Sequence, residues 1–245
     1  MFALPTAASA AERTSSTGYD ISYPQCPNTF PTAPAFGILG VNNGIAYSPN
    51  PCLDAEYRWA LQSSSTTQAK VQFYANTANP GPALSQHWPT GQQAPKSCDG
   101  SWSAGCSYDY GWNAAQDSFS DAAGVAGRLA AATAPWWLDV ESVNSWSTDT
   151  SLNINDLKGA VAYLSTPASG GGAGVSRVGF YSNSSSWAAI VGSSSTFSGY
   201  DSWVPGASSR KAAKANCSAS ITGGTVKYAQ YQSAGFDADY ACPNP

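Results

Sequence analysis

Two acidic residues at the end of a short apolar run are the first candidates for chemistry in this chain. The run, Trp136–Glu141, reads WWLDVE, so that Asp139 and Glu141 stand two positions apart. Because side chains alternate between the two faces of a strand, this spacing predicts that both carboxyls point the same way, about 6.5 Å apart. Such a pair can cleave a glycosidic bond, since one group protonates the leaving oxygen while the other handles the charge that develops on the sugar. The simpler alternative is a strand that runs out into solvent and carries two ordinary surface acids.

The composition narrows the classes of partner. Charged residues make up only 11% of the 245 residues, the net charge is −4, and aromatic residues reach 12%. The 11 Lys and Arg residues are scattered along the chain, whereas nucleic acids and anionic membranes attract clustered basic residues. We therefore expect a monomer that binds neither nucleic acid nor membrane, has no cofactor, and takes a neutral, hydroxyl-rich partner such as a polysaccharide. No apolar run is long enough to span a membrane.

The cysteines indicate disulfides and an oxidising compartment. Six are present, none in a C-x-x-C pair, and the chain has a single histidine, so that a zinc or other metal site is not expected. An even number of widely spaced cysteines is typical of secreted proteins. The sequence permits many pairings, among which we favour bridges between neighbours in the chain: Cys26–Cys52, Cys98–Cys106 and Cys217–Cys242.

The beginning of the chain resembles the end of a secretory signal. Phe2–Ala11 is apolar and small, and Ala8–Ala10 (ASA) has the small residues of a signal cleavage site. We expect residues 1–17 to lie outside the folded domain as a signal-peptide remnant, and residues 18–245 to form one domain of a secreted, extracellular protein.

Apolar segments alternate with helical patterns over most of that domain. Eight segments are predicted as strands: Gly18–Tyr23, Phe36–Val41, Val71–Ala75, Trp136–Glu141, Val175–Tyr181, Ser202–Pro205, Val226–Gln232 and Phe236–Tyr240. Four are predicted as helices, with little helix between the last three strands: Leu53–Gln62, Gly111–Ala132, Asn155–Leu164 and Ser184–Val191. Alternation of this kind predicts an α/β fold with a parallel sheet, which at this length closes into a single barrel.

The carboxyl ends of barrel strands form the active face, and polar or aromatic residues concentrate there. The acidic candidates are Asp20, Asp139, Glu141 and Asp237. The candidates for substrate binding are Asn42, Tyr74, Asn76, Trp137, Tyr181, Trp203, Gln230, Tyr231 and Asp239. The alternatives are a turn or cap role for Asp20, Asp237 and Asp239, and core packing for Trp203.

A long segment, residues 77–107, follows the third strand without a clear helical or strand pattern. It carries His87, Trp88 and Trp102 and is followed by Tyr108. The tryptophans either form one wall of a binding cleft or anchor the segment to the barrel. We expect no chemical role for His87.

Several motifs resemble glycoside hydrolase family 25, the lysozymes of the Chalaropsis type, in order and approximate spacing. The opening YDIS and the central LDVE are followed by a GFYS segment, a Gln-Tyr pair and an FDADY segment: Tyr19–Ser22, Leu138–Glu141, Gly179–Ser182, Gln230–Tyr231 and Phe236–Tyr240. The resemblance extends from Gly18 to Ala241. It implies an irregular TIM-type barrel of five β/α units and three further strands, (β/α)5(β)3, here stapled by disulfides.

The resemblance also implies hydrolysis of the β-1,4 bond after N-acetylmuramic acid in peptidoglycan. Glu141 would be the general acid, Asp139 would orient the acetamido group of the substrate, and Asp20 and Asp237 would complete an acidic floor. The chain departs from the family pattern in two motifs, and its long segment of residues 77–107 and its six cysteines are also untypical of the family. Gly40–Gly44 (GVNNG) lacks the family's glutamate, and Tyr74–Asn76 (YAN) lacks its histidine.

These observations favour a secreted glycoside hydrolase acting on peptidoglycan or a related amino-sugar polysaccharide. One alternative is a non-catalytic carbohydrate-binding protein on a degenerate barrel, and another is a secreted inhibitor or structural protein. Retention of both Asp139 and Glu141 favours the enzyme. As general acid, Glu141 should have a pKa raised by partial burial and by the charges of Asp139 and Asp20.

Overall fold

Eight strands form a closed barrel in which every strand pairs with its neighbours in the sequence and the last strand pairs with the first. The computed structural model describes residues 17–27 and 29–243. The strands are β1 (Thr17–Ile21), β2 (Gly37–Gly40), β3 (Val71–Asn76), β4 (Trp136–Asp139), β5 (Val178–Tyr181), β6 (Asp201–Ala207), β7 (Val226–Ser233) and β8 (Phe236–Ala241). Strands β1 to β7 are parallel, and β8 is antiparallel to both of its partners.

Helices cover the outside of the barrel. They are α1 (Leu53–Leu61), α2 (Ala104–Ala126), α3 (Arg128–Thr133), α4 (Thr150–Ser165), α5 (Ser184–Ile190) and α6 (Arg210–Asn216), with short 3-10 turns at Tyr23–Gln25 and Ala168–Gly170. In the described part of the chain, α-helices follow the five strands β2 to β6, whereas β1, β7 and β8 have none. The predicted α/β fold, an irregular (β/α)5(β)3 barrel of the TIM type, is thereby confirmed.

The observed elements differ from the sequence prediction at several bounds, including the start of α4, which is Thr150 and not Asn155. Strand β4 ends at Asp139, so that Glu141 lies in the loop that follows it. Helix α2 starts at Ala104 because the Ser103 side chain caps it by accepting a hydrogen bond from the backbone of Cys106, and Gly127 at φ 82° separates it from α3. Helix α6 was not expected. The Ser209 side chain caps it, and alanines and lysines favour it.

The pleat of the strands divides the core into two parts. Outward-facing side chains such as Trp136 and Leu138 pack against the helices, while Trp137 and Trp203 fill the barrel interior. Within the interior the buried Gln72 side chain accepts a hydrogen bond from the Trp137 indole at 3.0 Å and donates one to the Tyr228 hydroxyl at 2.8 Å. The barrel interior below the active face is therefore filled with side chains, so that a ligand can bind at that face but not inside the barrel.

Three disulfides join the predicted pairs, Cys26–Cys52, Cys98–Cys106 and Cys217–Cys242, and the described residues include no free cysteine. The neighbour pairing is therefore confirmed. The first bridge ties the turn after β1 to the start of α1, the second ties the long loop to α2, and the third ties the end of α6 to the end of β8. Residues 1–16 of the predicted signal-peptide remnant, including Phe2–Ala11, lie outside the described residues, whereas Thr17 was wrongly assigned to it and is the first residue of β1. No helix in the described ranges has the length and apolar character needed to cross a membrane.

Candidate active site

Four carboxyl groups line one cleft at the carboxyl ends of the parallel strands. The cleft has a volume of about 600 Å³, and its acidic residues are Asp20, Asp139, Glu141 and Asp237. Because β8 runs antiparallel, Asp237 reaches this face from the beginning of its strand, where it stands directly opposite Asp20 on β1. The structure thus brings together all four acids that the sequence singled out.

Asp139 forms the deepest part of this acidic group. Its side chain is buried, and its Oδ2 accepts a hydrogen bond of 2.5 Å from the Asn76 amide. Its Oδ1 is buried without a hydrogen-bond partner among the described residues. Burial, and secondarily the charge of Glu141, raises the pKa of Asp139 well above its ordinary value. The chain therefore leaves one oxygen of this cleft-lining carboxyl without a hydrogen bond.

Glu141 is only partly buried, and its carboxyl lies in the cleft. The loop that carries it is held by the Trp146 indole, which donates to the Glu141 carbonyl at 2.8 Å. Burial raises the pKa of Glu141, followed by the charge of Asp237. The expected direction of this pKa shift is therefore found. The expected repulsion between Asp139 and Glu141 raises the pKa of Asp139. Asp237, which β8 places at the same face, raises that of Glu141, and the expected contribution of Asp20 is not found.

A chain of hydrogen bonds orients Asp20. The Tyr181 hydroxyl donates to the Gln230 side chain at 3.0 Å, and the Gln230 amide donates to Asp20 Oδ2 at 3.0 Å. Asp239 lies below, where its Oδ1 accepts a 2.7 Å bond from the Trp203 indole. Burial raises the pKa of both Asp20 and Asp239, and the charge and carboxyl hydrogen bond of Asp239 raise that of Asp20 further. The two buried carboxyls therefore favour a state that retains a proton.

Aromatic rings line the cleft beside the acids. The Trp203 ring lies 4.3 Å from that of Tyr181 and 5.9 Å from that of Tyr74, measured between centroids. Gly40 leaves room for this arrangement, because a Cβ at that position would lie 2.4 Å from the Ser22 hydroxyl oxygen and 2.7 Å from the Tyr74 ring. The result is a cleft with an acidic floor and flat apolar surfaces next to it.

Five of the nine predicted binding residues line the cleft: Tyr74, Asn76, Tyr181, Trp203 and Gln230. The other four do not. Asn42 is buried and pairs with the backbone of Asn76 through bonds of 3.0 and 3.1 Å. Trp137 lies in the barrel interior, below the cleft.

Tyr231 and Asp239 are the other two predicted binding residues that do not line the cleft. Tyr231 follows the inward-facing Gln230 and therefore points outward, where it packs near Ala213 of α6. Asp239 is fully buried and contacts Trp203 below the floor.

Six cleft residues were missed by the sequence analysis: Tyr23, Pro24, Gly44, Ile45, Val143 and Asn144. They lie in the loops after β1, β2 and β4, and their position after strand ends was the only available signal. Among the described residues, no three His, Cys, Asp or Glu side chains are arranged to hold a metal ion.

A second cleft of about 490 Å³ continues from the first, and Ile45, Val143 and Asn144 line both. We call it the distal cleft. The long loop contributes Leu84 and His87 to it but not Trp102, whose indole donates to the Asn79 side chain at 3.3 Å and packs over Gly81. The proposed wall role of Trp102 is therefore wrong for either cleft, since the ring anchors the loop.

Comparison with known proteins adds one similarity in structure. No protein-family model matches the chain, and no curated protein matches it in sequence. The solved structure of a muramidase from Acremonium alcalophilum is similar, with a TM-score of 0.53 and 16% identity over 93% of this chain and 94% of that one. At this identity the similarity shows that the two chains share the barrel fold.

Proposed function

We propose that this protein is a glycoside hydrolase that cleaves peptidoglycan or a related amino-sugar polysaccharide, in the manner of the family 25 lysozymes that its motifs resemble. The observation that carries the proposal is the convergence of Asp139 and Glu141 with Asp20 and Asp237 in one open cleft. The barrel fold shared with a muramidase supports it.

Glu141 is the proton donor in this proposal. A general acid must hold its proton near the working pH and must be reachable by the glycosidic oxygen. Glu141 meets both requirements, because its pKa is raised and its carboxyl is partly exposed in the cleft. Its proton passes to the leaving oxygen as the bond between that oxygen and the anomeric carbon breaks. A water oxygen then bonds to the anomeric carbon, and a proton from that water returns to the Glu141 carboxylate.

Asp139 positions the substrate. Its carboxyl lines the cleft and is fixed through Oδ2 by Asn76, which holds it in position to contact the acetamido group of a bound sugar. That contact places the amide oxygen and the anomeric carbon in a defined orientation. Asp237, which is only partly buried, supplies negative potential beside the sugar and stabilises the positive charge that develops at the anomeric carbon, while Asp20 completes the floor below it.

The alternative is a carbohydrate-binding protein without turnover. Placing four carboxyls in one cleft, with Asp20 and Asp139 buried, is unfavourable for folding. A protein that only binds a neutral glycan gains nothing from a donor with a raised pKa. The set of four carboxyls in the cleft therefore favours an enzyme over a binding protein.

The test combines turbidity clearing with a reducing-end assay on peptidoglycan and on a panel of amino-sugar polymers. We expect wild-type protein to release reducing ends, Glu141→Gln to release none, and the control Asp54→Asn to behave as wild type, since Asp54 pairs with Arg58 on the exposed face of α1. Binding by wild-type protein without any release of reducing ends would instead support the carbohydrate-binding alternative.

The proposal also concerns the cellular location of the protein. Three disulfides are typical of proteins that fold in an oxidising environment, and a cell-wall polymer lies outside the cytoplasm. We therefore assign the protein to the extracellular space.

A further inference from the structure

A continuous series of aromatic rings runs from the disulfide-bonded interior of the long loop to the surface of the distal cleft. Trp88 is buried beside Cys98 and Cys106, and its ring stacks on Tyr110 at 5.3 Å. Tyr110 meets the edge of Tyr47 at 5.6 Å, and Tyr47 stacks on His87 at 4.1 Å with the planes 7° apart. The exposed imidazole of His87 is therefore the outer face of a rigid stack.

The backbone around Tyr47 holds this stack in place. Tyr47 has φ 62°, a left-handed conformation that a bulky residue adopts only when its surroundings enforce it. Its hydroxyl donates to the Tyr110 carbonyl at 3.4 Å, and a bridge between Asn42 and Pro49 closes the base of its loop. Strain of this kind is typical of residues that are positioned for binding.

The lining of the distal cleft differs in charge from that of the acidic cleft. The described residues that line it include no Asp, Glu, Lys or Arg, and its polar groups are hydroxyls and amides such as Ser85, Gln86 and Asn144. Apolar side chains supply the remainder. Of the seven large hydrophobic side chains that are exposed in the described residues, four line one of the two clefts: Tyr23, Ile45, Leu84 and Val143.

We propose that the distal cleft is a second glycan subsite, which binds further N-acetylated sugar units of the polymer that is cleaved beside Glu141. The subsite rests on the proposed function, because the clefts share Ile45, Val143 and Asn144 and a chain lying across the acids continues into it. An N-acetylated sugar matches the lining: its ring stacks on His87, its acetamido methyl contacts Leu84 or Val143, and its hydroxyls bond the neutral polar groups. The long loop thereby sets the length of glycan that the enzyme prefers.

The test measures how affinity depends on chain length. The probes are β-1,4-linked N-acetylglucosamine oligomers from dimer to hexamer, titrated by calorimetry into the Glu141→Gln protein so that no turnover occurs. We expect the affinity to rise with oligomer length. His87→Ala or Leu84→Ser in the same background should lower the affinity for the longer oligomers about tenfold. Leu129→Ser is the matched control, because Leu129 is as exposed as Leu84 but lies on α3, away from both clefts.

The outcomes separate the subsite from the proposed function. If the oligomers bind with the expected length dependence while the wild-type protein cleaves no polymer, the subsite stands and the proposed activity fails. If the wild-type protein cleaves polymer but His87→Ala and Leu84→Ser leave the length dependence unchanged, the subsite is overturned and the activity stands. A further comparison uses solubilised peptidoglycan fragments with and without an attached peptide. If affinity depends on the peptide and not on the number of sugars, the subsite is overturned as well. Melting temperatures establish that each variant is folded.

Discussion

Asp20 and Asp237 stand directly opposite each other on two antiparallel strands, β1 and β8, that come from the two ends of the barrel sequence. The acidic floor of the cleft is thus produced by the closure of the barrel itself. A sheet left open between β1 and β8 would separate these carboxyls and would also separate Asp20 from Asp239.

Replacing Glu141 by Gln should abolish turnover without unfolding the protein. The loss in kcat should be about a thousandfold or more, since general acid catalysis contributes on that scale. The folded state raises the pKa of Glu141, so its ionisation weakens the fold as the pH rises through that pKa. The melting temperature of the variant should therefore match or exceed that of the wild type above neutral pH. Wild-type activity in this variant would disprove the assigned role.

Glu56 should make stability fall as the pH rises. Its side chain is fully buried on α1, where Oε2 accepts a 2.8 Å hydrogen bond from Asn50, and burial raises its pKa from 4.5 to about 7. The stabilisation from the neutral form is complete below the ordinary pKa and is lost as the pH rises toward about 7. Glu56→Gln should then gain on the order of 2–3 kcal/mol over wild type at about pH 8, and little at about pH 4.

Denaturant unfolding of both proteins across this pH range measures the difference. A constant gap between them at all pH values would show that Glu56 does not titrate in this way. Asp54→Asn, on the exposed side of the same helix, should leave the pH profile unchanged.

Asp239→Asn should lower the pKa of Asp20. The amide oxygen can keep the bond from the Trp203 indole, while the substitution removes the second carboxyl that raises the pKa of Asp20. Carboxyl resonances of labelled aspartate, followed by NMR over a pH titration, report the change. An unaltered titration of Asp20 would mean that the two groups are not coupled.

Removing the Cys217–Cys242 bridge should cost about 3 kcal/mol of stability, because the bridge closes a loop of 25 residues. The same double substitution to serine should also weaken activity near the melting transition, since Cys242 follows the strand that carries Asp237. The Cys98–Cys106 bridge closes a span of only 8 residues and does not join a strand that carries an acid. Its removal is the matched control, with a smaller loss of stability and an intact acidic cleft.

Trp102→Ala should reduce the melting temperature and leave KM unchanged. The ring is partly exposed but packs over Gly81, lies 6.4 Å from the ring of Trp88, and donates to Asn79. Its truncation therefore loosens the loop without removing a lining group from either cleft. A raised KM at an unchanged melting temperature would indicate a binding role.

Much of the barrel could be predicted because its strands are short apolar runs that end in polar residues. Alternation along a strand also predicted a common direction for Asp139 and Glu141, although β4 ends at Asp139 and Glu141 reaches the cleft from the loop that follows. Alternation alone does not reveal which of the two faces of a strand points into the barrel. Gln230 and its neighbour Tyr231 were therefore both predicted as binding residues, although they lie on opposite faces. Depth along the barrel is likewise set by the relative register of the strands, which places Trp137 below the site.

The distal cleft could not be predicted for a different reason. Tyr47, His87 and Tyr110 come from three separate segments, and only the folded loop brings their rings together. Helix α6 was not predicted because it buries only Ala213 and so has no apolar spacing, whereas α5, of equal length, buries Trp187 and Ile190.

The pairing of β1 with β8 has a consequence for the order of events during synthesis. The segment that carries Asp20 leaves the ribosome first, and the segment that carries Asp237 and Asp239 leaves it last among the strands. The two can meet only after the intervening six strands have been made, which is a contact of very long range in the sequence. A chain interrupted anywhere before β8 therefore lacks both the closed barrel and half of its acidic floor, so that the proposed activity requires synthesis through β8.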